Sequence, residues 1–150
     1  MRIRKLCVAA ALCSSASAFA MPDFAGSYAC KAENGVTSNI TLDVRDNTLF
    51  TGGDLDIGSL AGGQNGLPCE NKSDKQAANG VTMDYAMGCD AKVLFYRINL
   101  KQPPKTDFNM TLKFTKSSAK DLAIEVKMSG KMENSAIPAG SDVKISCVKK

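Results

Sequence analysis

Phe108-Asn109-Met110-Thr111-Leu112-Lys113-Phe114-Thr115 decides the fold: every second side chain is large and apolar, and those between are polar. A period of two marks a strand with one face buried and one in water, because successive side chains leave a pleated strand on opposite sides. Upstream, Leu94, Tyr96, Ile98 and Leu100 alternate with Phe95, Arg97, Asn99 and Lys101. Downstream, Leu122, Ile124, Val126 and Met128 alternate with Ala123, Glu125 and Lys127. Ile40, Leu42 and Val44 repeat the pattern near the start, and Val143, Ile145 and Cys147 at the end. No apolar stripe of helical spacing extends beyond two turns, so the expected class is all-β, built of half-buried antiparallel strands.

The punctuation agrees. Asn34-Gly35 lies between two strand-like runs, a strong hairpin signal, and Asp46-Asn47 turns the chain into Leu49-Phe50. Pro103-Pro104, Ser117-Ser118 and Ala139-Gly140 precede later strands. Asn-Gly-Val-Thr occurs at 34–37 and again at 79–82, read as two independent turn-to-strand junctions because the flanking sequences differ. Eight or nine short strands in this order predict a small antiparallel up-and-down barrel, a lipocalin-like meander, with a β-sandwich as the alternative. Closure is attractive because it leaves no unpaired edge. One stretch breaks the rhythm: Gly52 to Gly80 is rich in Gly, Asn, Asp and Ser. A short strand is expected around Leu55 and Ile57, followed by an exposed loop over 61–79.

The first twenty residues read as a secretory signal peptide. Arg2, Arg4 and Lys5 supply the positive start, Leu6 to Leu12 is apolar, and Ala18-Phe19-Ala20 fits a cleavage site before Met21. The expected mature chain is then a single domain, 21–150, periplasmic or secreted, with no membrane insertion. Cys7 and Cys13 leave with the leader, so four of the six cysteines remain: Cys30, Cys69, Cys89 and Cys147. An even number in a small exported domain reads as two disulfides. Three connectivities are possible. Cys30 shares a face with Tyr28, and Cys147 with Val143 and Ile145, so pairing of the first and last strands brings Cys30 to Cys147 and leaves Cys69 to Cys89.

Composition excludes several chemistries. The chain has no histidine, which removes the Ser-His-Asp triad, the Cys-His nucleophile and the commonest zinc and copper ligand. Ser117-Ser118-Ala119-Lys120 matches Ser-x-x-Lys but sits in a turn between strands rather than opening a helix. Asp54-Leu55-Asp56-Ile57-Gly58 supplies only the first two ligands of a calcium loop. Taking Arg2, Arg4 and Lys5 from the 19 basic residues leaves 16 against 15 acids, a balance with no footprint for nucleic acid. Neither a cofactor nor a metal is expected, and the chain is read as non-enzymatic and monomeric.

What remains is a cluster of soft apolar side chains. Met83, Tyr85, Met87, Tyr96, Met110, Phe114 and Met128 fall mostly on inward parity. They are candidate ligand contacts. Flexible methionines also fill irregular cores, and thioethers suit Cu(I). Two roles follow as expectations: a module presenting its tethered loop or barrel mouth to a protein partner, such as an extracytoplasmic hydrolase that it inhibits; or a carrier of a small apolar ligand or Cu(I).

Phe24-Ala25-Gly26-Ser27-Tyr28 resembles the opening of lipocalin-type barrels, where Gly-x-Trp starts the first strand; Tyr stands here in place of Trp. Tyr28-Ala29-Cys30, with a cysteine on the last strand, resembles the bacterial lysozyme-inhibitor barrels, although the inhibitory loop motifs of that family are not evident. Each likeness covers only a few residues and neither assigns the chain to a family.

Overall fold

The computed structural model describes residues 20–54, 66–138 and 141–150. The leader up to residue 19, the strand expected around Leu55 and Ile57, and the 61–65 part of the loop lie outside the described residues. The described chain is all-β: β1 (Gly26–Ala32), β2 (Thr37–Arg45), β3 (Thr48–Gly53), β4 (Leu67–Pro68), β5 (Lys72–Ala78), β6 (Val81–Cys89), β7 (Val93–Gln102), β8 (Thr106–Lys116), β9 (Asp121–Met132), β10 (Ser135–Ala136) and β11 (Val143–Lys149). All belong to one antiparallel sheet in the order β4-β3-β2-β1-β11-β9-β8-β7-β6-β5, with β10 added to the end of β9. The alternative of two stacked sheets is therefore not what forms.

The hairpin turns follow from local chemistry. Asp46-Asn47 and Asn79-Gly80 carry positive φ at both central positions, the geometry that matches the right-handed twist of the flanking strands. Glu133-Asn134 does the same between β9 and β10. In β9, Gly130 sits at φ 102°, and a Cβ there would collide with the backbone carbonyl of Asp107, so only glycine fits this crossing.

Strand parity places the core. Tyr28, Ile40, Leu42, Leu94, Leu112, Phe114, Leu122 and Ile124 are all fully buried and belong to one cluster. Members of β1, β2 and β3 join members of β7, β8 and β9 in it, so the sheet curls round a common interior. The Phe24 ring lies 6.2 Å from that of Phe114, and the buried Tyr28 hydroxyl donates to the Phe24 carbonyl at 2.8 Å. The segment before β1 is thus fixed over the core.

The first and last strands pair, Cys30 lies directly opposite Cys147, and the two are bonded. Cys69 is bonded to Cys89. Both pairings are those that strand parity favoured.

Two expectations need correction. Among the described residues the sheet is not a closed barrel: its ladder ends at β4 on one side and β5 on the other. The reason lies in the residues at the seam. β4 is two residues long, and Pro68 has no N–H to offer a further ladder. β5, Lys72-Ser73-Asp74-Lys75-Gln76-Ala77-Ala78, has no large apolar side chain and is exposed throughout. The second correction is that this same segment, expected within the 61–79 loop, is a strand paired along its length with β6. Its pairing comes from the Asn79-Gly80 turn, not from amphipathic alternation. At one end the seam is crossed without a ladder, by residues 69–71 of the chain and by the Cys69–Cys89 disulfide, and hydrogen bonds fix each flank. Asn71 donates its amide to the Cys89 carbonyl at 3.2 Å and accepts from the Cys89 N–H at 3.0 Å, while the Cys69 N–H donates to the Asn47 carbonyl at 2.8 Å.

Candidate functional site

Directly opposed residues on antiparallel strands share a face, so the registers of β5 to β9 resolve the inner surface into rows. The first row runs Cys89, Leu94, Phe114, Ile124, and every member is buried. The second runs Met87, Tyr96, Leu112, Val126; the third Tyr85, Ile98, Met110, Met128; the fourth Met83, Leu100, Phe108, Gly130. Burial falls along the series. Leu112 and Val126 in the second row and Met110 in the third are still buried, while Met87, Tyr96, Tyr85, Ile98, Met128, Met83, Leu100 and Phe108 are half-buried.

The cause of this gradient is stagger. The last ladder pair between β11 and β9 is Val143 with Val126, and β9 continues through residues 127–132 beyond it. Among the described residues, β6 to β9 therefore extend their apolar inner face past the end of the ladder that carries the core. On the other flank, β5 contributes Lys72, Asp74 and Gln76 to the same face, a polar rim beside the apolar band.

All seven nominated side chains lie on this inner face. Phe114 is fully buried in the main core and offers no surface. Met110 is also buried, whereas Met83, Tyr85, Met87, Tyr96 and Met128 form the half-exposed band. Ile98, Leu100 and Phe108 complete it; their alternation placed them inward, but aliphatic residues carry no chemical signature of a site. Burial first, and then the neighbouring Tyr85, push the Tyr96 hydroxyl above its ordinary value, so it is a neutral donor at physiological pH. The Tyr85 hydroxyl points at the Asp74 carboxylate, 3.4 Å away.

Among the described methionines, only Met110 and Met128 are direct cross-strand neighbours. Met83 and Met87 stand on β6, two strand spacings from Met110, about 10 Å of backbone separation. No group of three His, Cys, Asp or Glu residues able to hold a metal occurs among the described residues. The arrangement is an apolar platform with two phenolic hydroxyls, those of Tyr85 and Tyr96, a surface suited to apolar contact. No protein-family model, no curated protein and no solved structure matches this chain.

Proposed function

We propose that the mature chain is an exported, non-catalytic binding protein that engages an apolar group of a protein partner on the inner face of β6 to β9. One observation carries the reading: Met83, Tyr85, Met87 and Tyr96 gather half-buried on one face with Ile98, Leu100 and Phe108, where a packed domain would hide them. Methionine and tyrosine are the residues that protein interfaces favour, the first for adaptable packing and the second for apolar area with a polar tip. The charged rim of β5 fits the polar border of such an interface. Export is inferred from the leader-like start and agrees with two disulfides, which persist in oxidising compartments.

The test is a photo-crosslinking amino acid placed at Tyr85 or, as an outer-face control, at Asp107. The mature protein is then irradiated in the extracytoplasmic fraction of its source. Crosslinking to a discrete partner from position 85 alone supports the proposal. Equal crosslinking from both positions, or from 107 alone, overturns it. A small apolar molecule on the same face is the competing outcome: native mass spectrometry of the purified protein would then show a bound mass and no protein crosslink.

A further inference from the structure

We infer that the outer face of β5 to β8 is a second binding site, and that its ligand is an acidic saccharide. The sheet carries there a groove of about 780 Å³, within the size range of small-molecule sites. Its floor is a polar ladder crossing four strands: Lys75, Asp84, Asn99 and Asn109 stand directly opposite one another in turn. Ser73 and Ala86, one row away, are short and leave the depression open; Arg97 and Lys101 border it on β7.

The chemistry of the floor selects the ligand. Asn99 donates an amide hydrogen to the Asn109 carbonyl, which leaves the Asn99 oxygen and the Asn109 NH2 group for a partner. Asp84 Oδ1 is shielded, with Lys75 Nζ 3.8 Å away and no hydrogen-bond donor in reach among the described residues. The Asp84 side chain as a whole is 47% exposed and lines the groove, where its carboxylate can accept. A carboxylate acceptor and two amides suit hydroxyl groups, which both donate and accept. Sulfate and other fully ionised anions have no hydrogen to donate, and dense polyphosphate would meet Asp84 as a concentrated like charge. The border is cationic. Neither Arg97 nor Lys101 makes an ion pair among the described residues, and four positions on a strand set them about 13 Å apart. That spacing distributes positive charge along the groove, as a sugar chain with separated carboxylates requires. Arg97 can grip a carboxylate through two parallel N–H donors.

This site lies mostly on the opposite surface from the apolar inner face, because alternate residues of the same strands serve the two surfaces; of the residues lining the groove, only Asp74 and Tyr85 belong to the inner rows. The experiment titrates the mature protein with oligomers of galacturonate, glucuronate and mannuronate, following the side-chain amide signals of Asn99 and Asn109 by NMR. Binding of at least one oligomer tighter than about 1 mM is expected, with those amides shifting. Arg97→Gln combined with Lys101→Gln weakens it about tenfold or more, Asn99→Ala weakens it with the charges intact, and Met87→Ser on the inner face leaves it unchanged. All four positions are exposed or half-buried, and matching circular dichroism spectra show that the variants are folded. Three results overturn the inference: no shift with any oligomer at about 10 mM, roughly ten times the expected upper limit on the dissociation constant; equal binding of polyphosphate; or binding that survives the Arg97/Lys101 double substitution.

Discussion

Gly88 shows how a single missing Cβ sets local packing. It stands opposite Phe95 on the outer face, and a Cβ built at Gly88 collides with the Phe95 ring. Gly88→Ala is expected to destabilise the fold by about 1–3 kcal/mol, the usual cost of overpacking. Urea unfolding measures it, and adding Phe95→Ala should recover most of the loss if the ring is the obstacle. Asp90 makes a second residue-scale case. Its carboxylate accepts backbone N–H bonds from Lys92 and Val93 at 2.8 Å each, and these bonds hold its pKa below the ordinary 3.8. A lowered folded-state pKa adds stability above the unfolded value and loses it as pH falls through the folded one. Asp90→Ala should therefore be less stable than wild type at pH 6, with the gap closing below about pH 3.8. A gap constant from pH 6 to pH 2 in thermal melts would show that the charge is not what matters there.

Element by element, the alternating strands β7, β8, β9 and β11 were legible because one face of each is buried and the other wet, which writes the period directly into the residues. β5 was not legible. Its seven residues are exposed on both faces, so no burial requirement shaped them, and only the Asn79-Gly80 turn betrays the hairpin. The same logic explains the site. Parity put Met83, Tyr85 and Met87 on one face, but whether that face is covered depends on how far neighbouring strands extend, which is a property of register and not of composition. The difference between strands has a dynamic consequence. With no apolar anchor and, among the described residues, a single ladder neighbour, β5 should exchange its amide hydrogens well before the central strands β8 and β9. Hydrogen exchange read by mass spectrometry checks this; protection in residues 72–78 equal to that in 108–114 would mean that the edge is covered.

For the whole molecule, the two disulfides do different work, although both simply cross-link the chain. Cys30–Cys147 spans 117 residues but joins strands that already pair in register. Cys69–Cys89 spans 20 residues and ties β6 to the residues that follow β4, across the two ends of a sheet whose ladder does not meet. On the chain-entropy account, the longer loop contributes about 4–5 kcal/mol and the shorter about 3. Replacing Cys30 and Cys147 by alanine should therefore lower the global melting temperature more. Replacing Cys69 and Cys89 should cost less overall but concentrate its damage. The hydrogen bonds of Asn71 with Cys89, and that between the Cys69 N–H and the Asn47 carbonyl, lose the bond that holds them in register. Amides of residues 67–71 and of Cys89 should then exchange early while those of β8 and β9 stay protected. If the second variant instead exchanged uniformly faster, the curled sheet would be held by its core alone, and the stitched seam would contribute nothing local.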